Sequence, residues 1–263
     1  MIIIAAFVFG LLIGSFLNVL IWRLPREESI GGRSHCPHCN HTLNARDLIP
    51  LASFVLARGR CRYCKKAVSY RYPLIETITG FLFACAAVMF LGISNFDAVS
   101  ILKFIEAIVV ISICITTFVI DLEHYLILNR VVFFGYGVIA VILLIISLIT
   151  HSPHLILSHI LVAVASAIPF WLIWYLSAGK WMGFGDVKFV ALMGLILGGS
   201  GIIVSLFLAF MIGALFGVGL IIAGKKQFSS KLPFGTFLTL ATILALFFAP
   251  QIWTWYWTLI GLN

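Results

Sequence analysis

Long runs of apolar residues, separated by short polar connections, dominate the pattern of this chain. The runs cover residues 2–22, 74–92, 99–120, 131–150, 155–177, 187–198, 202–223 and 235–250. A helix needs about 20 residues to cross a hydrocarbon layer of about 30 Å, and most of the runs come near that length. Only the run at 187–198 is short for a full span. The pattern predicts an all-α polytopic membrane protein with about eight transmembrane helices.

Composition supports the membrane assignment. The chain is 62% hydrophobic and 10% charged, and its mean hydropathy is +1.16. A soluble domain carries about 25% charged residues, so this chain has too few polar groups to cover its apolar surface. The first run, 2–22, is interpreted as an uncleaved helix and not as a signal peptide. The basic residues Arg23 and Arg26 follow the run, whereas a signal peptide has its basic residues in front.

Basic residues are concentrated between the first two runs. Residues 23–72 contain ten of the seventeen Lys and Arg residues and three of the nine acidic ones. With the N-terminus outside, the inside connections also contain Arg130, Lys180, Lys225, Lys226 and Lys231. The outside connections, 93–98, 150–154 and 198–201, contain no Lys or Arg. The positive-inside rule therefore predicts that segment 23–72 is cytoplasmic. Anionic lipids are the expected partners of this segment, and not nucleic acid, because no nucleic-acid motif accompanies the charge.

Two Cys-x-x-Cys motifs lie in the same polar segment. Their four thiolates, from Cys36, Cys39, Cys61 and Cys64, can close tetrahedrally on zinc. His35, His38 and His41 are near enough in sequence to replace a cysteine. Two disulfides are the main alternative, but disulfides are rare in the cytoplasm, and a redox pair is a third possibility. We therefore predict a small cytoplasmic module with a closed, structural zinc site between the first and second helices.

Two acidic residues stand at the ends of apolar runs. Asp121 ends one run, and Asp186 opens another behind Gly183 and Gly185. The predicted topology puts both carboxylates on the cytoplasmic side. Two carboxylates in close contact share a proton, so one can activate water while the other polarises a carbonyl group, as in aspartic proteolysis. Glycines beside them let a substrate strand approach closely.

Simpler interpretations exist for each acid. Asp is a favoured N-cap residue, and Gly-x-Gly before a helix is a common loop, while Asp121 could be the first polar residue past the membrane edge. A transporter that binds a proton or cation at the two aspartates is an alternative function, as is a non-enzymatic, zinc-bearing assembly protein. A transport site is expected near the membrane midplane, whereas both acids fall at predicted inside ends.

Five separate stretches resemble the type IV prepilin leader peptidases, bacterial membrane aspartic proteases of the GxGD type. The resemblance covers nearly the whole chain. Besides the paired Cys-x-x-Cys motifs it rests on residues 14–25 (GSFLNVLIWRLP), 71–76 (RYPLIE), 182–188 (MGFGDVK) and 232–235 (LPFG). The chain departs from the family pattern at Leu128 and Thr236, where Pro is common.

The resemblance implies a function and its residues. Asp121 and Asp186 match the two catalytic aspartates, and Cys36, Cys39, Cys61 and Cys64 match the zinc ligands. The family removes the basic leader of prepilins and pseudopilins on the cytoplasmic side of the bacterial inner membrane. Many members then methylate the new N-terminus with S-adenosyl-L-methionine, and we expect both activities here. No residue is assigned to the methyl donor.

The resemblance also divides the chain and adds two site residues. It implies a first transmembrane helix at 1–22, a basic zinc-binding segment associated with N-methylation at 23–72, and a membrane-embedded aspartic peptidase domain at 73–263. Lys188 either extends to the membrane interface or stabilises the ionised aspartate. Glu76 is either a helix-dipole partner or a residue that faces the active site or methyl donor.

Overall fold

The computed structural model describes residues 1–92, 96–224 and 232–261. Every named secondary-structure element in these ranges is a helix. The helices are α1 (Ile2–Arg23), α2 (Ala52–Leu56), α3 (Arg71–Phe90), α4 (Ala98–His124), α5 (Asn129–Ile149), α6 (His154–Leu176), α7 (Phe184–Ile222) and α8 (Phe234–Leu259). The predicted connection at 93–98 lies partly outside the described residues, and the predicted loop cations Lys225, Lys226 and Lys231 lie wholly outside them.

Seven of the described helices, all but α2, are long and apolar enough to cross a membrane. The polytopic all-α class is therefore confirmed, and the difference from the expected eight spans has one cause. The predicted runs at 187–198 and 202–223 form two arms of α7, which is 39 residues long. The backbone leaves helical geometry at Gly198, where φ is 65° and ψ is −168°. The first arm, at 1.5 Å per residue, is only about 21 Å long.

Gly198 and His159 together form the break in α7. A backbone with this φ and ψ is almost confined to glycine. The His159 ring lies against the break, because a Cβ added at Gly198 would be 3.2 Å from His159 Cε1. His159 Nδ1 lies 2.7 Å from the carbonyl oxygen of Leu195. Because a carbonyl oxygen can only accept a hydrogen bond, Nδ1 is the protonated nitrogen that donates it. The imidazole thereby satisfies a carbonyl group at the end of the first arm.

The described chain divides into two compact parts, Met1–Thr116 and Thr117–Asn263. In the first part, α1 packs closely against α3. A Cβ added at Gly10 would lie 2.7 Å from the Cα of Gly80, and one at Gly14 would lie 2.7 Å from the Cα of Glu76. Small residues at these positions let the two backbones approach, as is common between helices in membranes.

In the second part, α7 packs against α6 and α8 and, less extensively, against α5. Gly194 on the first arm of α7 lies directly against α6, where an added Cβ would be 2.6 Å from Ser166 Oγ. Val190, Leu192 and Met193 on the same arm are fully buried. The first arm of α7, which begins just before Asp186, is therefore held firmly by its neighbours.

Candidate active site and metal centre

Asp121 lies in the last turn of α4, and its side chain is buried, with 5% exposed. Its Oδ2 atom accepts two hydrogen bonds from Thr236, one from the backbone N–H at 2.7 Å and one from the hydroxyl group at 3.1 Å. Gly235 precedes Thr236, and a Cβ added there would be 2.9 Å from the same carboxylate oxygen. The start of α8 therefore fixes one oxygen of Asp121.

Thr236 is a site residue that the sequence did not reveal. Pro, which is common at this position in the family, has no N–H and no hydroxyl group, so it could supply neither bond. Thr236 and Asp121 are 115 positions apart, and no local pattern connects them. The departure from the family pattern was the only available signal.

Asp186 lies in the first turn of α7, and its side chain is half-buried. Gly183 caps this helix with extended backbone, φ −74° and ψ 147°, and its carbonyl oxygen accepts the N–H of Asp186 at 3.2 Å. A Cβ added at Gly183 would lie 3.5 Å from Asp186 Oδ2. Gly183 thus leaves one side of this carboxyl group uncovered.

The structure brings the two aspartates close enough to interact electrostatically. One residue, Ile127, lies against the start of α7, which carries Asp186, and against the start of α8, which binds Asp121. A Cβ added at Gly185 would be 2.9 Å from Ile127 Cβ, and one at Gly235 would be 2.8 Å from Ile127 Cδ1. Ile127 sets the spacing of the two segments, and it is a second site residue that the sequence did not indicate.

The connection between α4 and α5 positions Ile127. Tyr125 takes a left-handed conformation, φ 56°, and its N–H donates to the carbonyl oxygen of Asp121 at 2.8 Å. Leu128, which stands where the family often has Pro, has φ −79° and ψ 127°. This φ lies within the range that a proline ring imposes, so the backbone at Leu128 does not need the ring to take this conformation.

Lys188 contacts a neighbouring helix. Its ammonium group donates to Asn129 Oδ1, at the start of α5, and lies 4.9 Å from the centroid of the Phe184 ring. The hydroxyl group of Tyr136 donates to the carbonyl oxygen of Lys188 at 2.8 Å. Among the described residues, no ion pair joins Lys188 to either aspartate.

Glu76 belongs to the first part of the chain and is buried there. Its Oε2 atom accepts the backbone N–H of Leu51 at 2.8 Å, and its side chain also hydrogen-bonds with Ser15 on α1. Glu76 therefore joins α1, α3 and the segment that leads into α2. Leu51 has φ 58°, and this hydrogen bond holds it in that uncommon conformation.

The four cysteines of the polar segment form one cluster. The sulfur atoms of Cys36, Cys39, Cys61 and Cys64 all lie within 4.8 Å of one another, and no histidine belongs to the group. Cys36 and Cys64 have their sulfur atoms 3.9 Å apart, which fits the roughly 3.8 Å expected between two thiolates on one tetrahedral zinc. All six cysteines of the chain are free thiols. The cluster can therefore hold a zinc ion in a closed, four-sulfur site.

The two Cys-x-x-Cys motifs share one backbone arrangement. The N–H of Cys36 donates to the His41 carbonyl, and the N–H of Cys61 donates to the Lys66 carbonyl. The residue after each motif, Asn40 or Lys65, has positive φ. Burial opposes ionisation of Cys36, but hydrogen bonds from the backbone of His38 and Cys39 and from neighbouring thiols lower its pKa to about 7. This arrangement is suited to thiolate ligands.

Fold and site together define a multi-pass helical membrane protein with a pair of carboxyl groups at helix ends and a four-cysteine module. Family models agree with this class. The bacterial peptidase A24 N-terminal domain matches residues 8–90, and the type IV leader peptidase family matches residues 108–218. The chain belongs to the type IV leader peptidase family, which makes it a multi-pass protein of the bacterial inner membrane.

Curated relatives match over nearly their full length. The prepilin leader peptidase/N-methyltransferase of Bacillus subtilis (strain 168) is 34% identical, covering 95% of this chain and 96% of the relative. The protein of the same name from Aeromonas hydrophila is 32% identical, covering 96% and 92%. The one from Stutzerimonas stutzeri is 31% identical, covering 95% and 92%. No solved structure matches the chain.

Proposed function

We propose that this protein cleaves the leader peptide from type IV prepilins or pseudopilins and then methylates the new N-terminal residue. The names of full-length relatives support both activities. S-adenosyl-L-methionine is the methyl donor that the family resemblance implies. The peptidase assignment rests on the packing at Ile127, which contacts Gly185 beside Asp186 and also Gly235, the residue that lies against the Asp121 carboxylate. It supports an aspartic mechanism, in which water attacks the scissile carbonyl directly and no covalent intermediate forms.

Asp121 is the ionised member of the pair in this mechanism. Its Oδ2 atom accepts two hydrogen bonds from Thr236, and bonds of this kind stabilise a carboxylate. Its other oxygen is left to take a proton from the attacking water. Asp186 receives no comparable pair of donors from the residues that the structure describes, and it carries the shared proton. Its carboxyl group donates to the scissile carbonyl oxygen and protonates that oxygen as water adds.

Breakdown of the resulting gem-diol returns the pair to its starting state. Asp121 gives the proton taken from water to the peptide nitrogen, and the carbon–nitrogen bond breaks. One hydroxyl group of the gem-diol gives its proton back to Asp186 as the new carboxyl group forms. Gly183 and Gly185 leave room for the substrate backbone, since side chains there would approach Asp186 Oδ2 and Ile127.

The cysteine module has a structural role in this proposal. A zinc ion held by four thiolates has no free position for water, so its contribution is to fold the polar segment. The concentration of Lys and Arg between α1 and α3 supports a cytoplasmic module, with the N-terminus on the other side of the membrane. In this orientation the leader is cut on the cytoplasmic side.

The first test is cleavage of a prepilin substrate by the full chain in membranes. Asp186→Asn keeps the side-chain volume but cannot share a proton with Asp121, so we expect cleavage to fall by about 10³-fold or more. Asp121→Asn should lose activity to a similar extent. Mass spectrometry of the product reports both reactions, because methylation adds one methyl group to the cleaved chain.

Glu123→Gln is the matched control, because Glu123 is an exposed acid two positions from Asp121 at the same helix end. This variant should cleave at close to the wild-type rate. Persistent cleavage by inserted, zinc-containing Asp186→Asn protein would contradict the paired mechanism. Absence of cleavage by the wild-type chain would instead favour a transporter or an assembly protein.

A further inference from the structure

The polar segment between α1 and α3 contains a basic cavity to which neither proposed reaction assigns a basic residue. The cavity has a volume of about 520 Å³, and it is lined by residues 56–58, 60–62 and 65. Four of these residues, Arg58, Arg60, Arg62 and Lys65, have basic side chains, and all four are exposed. We call this cavity the basic pocket.

Three of the four cations in the basic pocket are uncompensated. Arg62 pairs with Asp47, with Nε 3.2 Å from Oδ1, and Tyr63 donates to the other oxygen of the same carboxylate. Arg58, Arg60 and Lys65 form no ion pair with any residue in the ranges that the structure describes. Three such charges around one cavity attract an anion.

Exposed apolar side chains adjoin the same cavity. Leu56 lines it, with 75% of its side chain exposed, and the neighbouring Val55 is 71% exposed. Both belong to α2, which has no buried residue. Two large aliphatic groups beside a cluster of cations are suited to the boundary between lipid headgroups and acyl chains, where apolar groups insert and cations meet phosphates.

The connections of the segment place it at a membrane surface. It begins where α1 ends, at Arg23, and finishes where α3 begins, at Arg71, and both helices are candidate spans. Neither end can move far from the headgroup layer. The headgroup layer therefore supplies a suitable ligand, the phosphate of an anionic phospholipid, whose charge complements the pocket.

We propose that the basic pocket binds the headgroup of an anionic phospholipid, with Arg58, Arg60 and Lys65 contacting the phosphate and with Val55 and Leu56 inserted beside the acyl chains. The bound lipid holds the four-cysteine module against the membrane. This site goes beyond the proposed catalytic function, because none of its residues is placed in either reaction.

The test measures lipid binding to the purified full chain in detergent by native mass spectrometry. The probes are dioctanoyl phosphatidylglycerol, dioctanoyl phosphatidylcholine and inorganic phosphate. We expect phosphatidylglycerol to bind at least tenfold more tightly than phosphatidylcholine. A cation near an anionic surface contributes about fivefold in affinity, so Arg58→Gln with Arg60→Gln should weaken phosphatidylglycerol binding by roughly twentyfold.

The matched control is Arg33→Gln with Arg46→Gln, which removes two exposed cations of the same segment outside the pocket. This control should change the affinity by less than twofold. Val55→Ser with Leu56→Ser keeps every charge and should also weaken lipid binding. It provides an independent test if the arginine variant loses its zinc.

Three outcomes would overturn the proposal. Equal losses in the pocket and control variants would mean that the charge acts diffusely and forms no site. Displacement of the lipid by an equal concentration of inorganic phosphate would identify a free-anion site. Equal affinity for the two lipids would exclude recognition of the headgroup charge.

Discussion

Thr236 gives Asp121 a fixed orientation. Two donors on one carboxylate oxygen hold the side chain and leave the second oxygen for another partner. The backbone N–H would be present in any residue but Pro, whereas the hydroxyl group requires Thr or Ser. The contributions of the two donors can therefore be separated by substitution.

Thr236→Val removes the hydroxyl group and keeps the N–H and the branched shape. A hydrogen bond to a charged group contributes about 1.5–3 kcal/mol, so we expect cleavage to slow by roughly 10-fold to 100-fold. Because the carboxylate form of Asp121 loses a donor, it takes up a proton more readily. The acidic limb of the pH profile of kcat/KM should therefore move to higher pH. Thr236→Pro removes both donors and should have the larger effect in both measurements.

Thr242→Val makes the same chemical change in α8, at a buried hydroxyl group that bonds to the Leu238 carbonyl and not to an aspartate. Its pH profile should match that of the wild type. Thr236→Ser keeps both donors and should retain most of the activity. An unshifted pH profile in Thr236→Val would show that the Thr236 hydroxyl group does not stabilise the ionised form of Asp121.

At the scale of single elements, the two helical arms that make up α7 serve different purposes. Its first arm, packed tightly against α6, presents Asp186 in its first turn. Its second arm, after Gly198, extends to Ile222 and is long enough to span a membrane by itself. The break at Gly198 separates a short arm that carries Asp186 from a long arm that can cross the bilayer.

Gly198→Ala should destabilise the protein. A non-glycine residue with this φ and ψ costs about 1–3 kcal/mol, and the new Cβ would also press on the His159 ring at 3.2 Å. The measurement is the temperature of thermal unfolding in detergent. Gly199→Ala is the matched control, because its Cβ would meet only Val162, at 4.0 Å, and we expect little change there. Equal stability of the two variants would contradict a strained break.

The cysteine module should depend on its metal. We expect about one zinc per chain in the purified protein, and Cys64→Ser should lose nearly all of it after dialysis against a mild chelator, because three thiolates leave the site open. The measurements are elemental analysis and the rate of proteolysis within residues 24–70. Cys85→Ser, outside the cluster, should keep its zinc. Zinc retention by Cys64→Ser would exclude the four-sulfur site.

At the scale of the whole molecule, the distribution of charge among the connections gives an orientation that can be measured. Reporter fusions at two connections test opposite sides of the membrane. One follows Ser152, between α5 and α6, and the other follows Lys180, between α6 and α7. We expect alkaline phosphatase to be active at Ser152 and inactive at Lys180, because this enzyme folds only outside the cytoplasm. The reverse result would invert the proposed topology.

The sequence predicted those features that depend on local pattern. Apolar runs predicted the spans, and the spacing of the cysteines predicted a cluster that the structure assembles. It also predicted separate runs at 187–198 and 202–223, and the backbone leaves helical geometry between them, at Gly198. It missed Thr236 and Ile127, whose contacts join segments that are distant in the chain. Such contacts follow from how helices pack and have no periodic signal.

The close packing of α1 on α3 also affects how the module folds. Asn18 donates to the Tyr72 carbonyl at 3.2 Å, so the two ends of the 47-residue segment between Arg23 and Arg71 start out close together. Closing a free loop of that length would cost roughly 3 kcal/mol in chain entropy. Because α1 and α3 already pack against each other, this chain entropy is lost before zinc binds. The zinc site needs only the cysteine loop, about half of this segment, to close, so the saving is about 0.6 kcal/mol. A free peptide of residues 24–70 should therefore bind zinc roughly threefold more weakly than the intact chain.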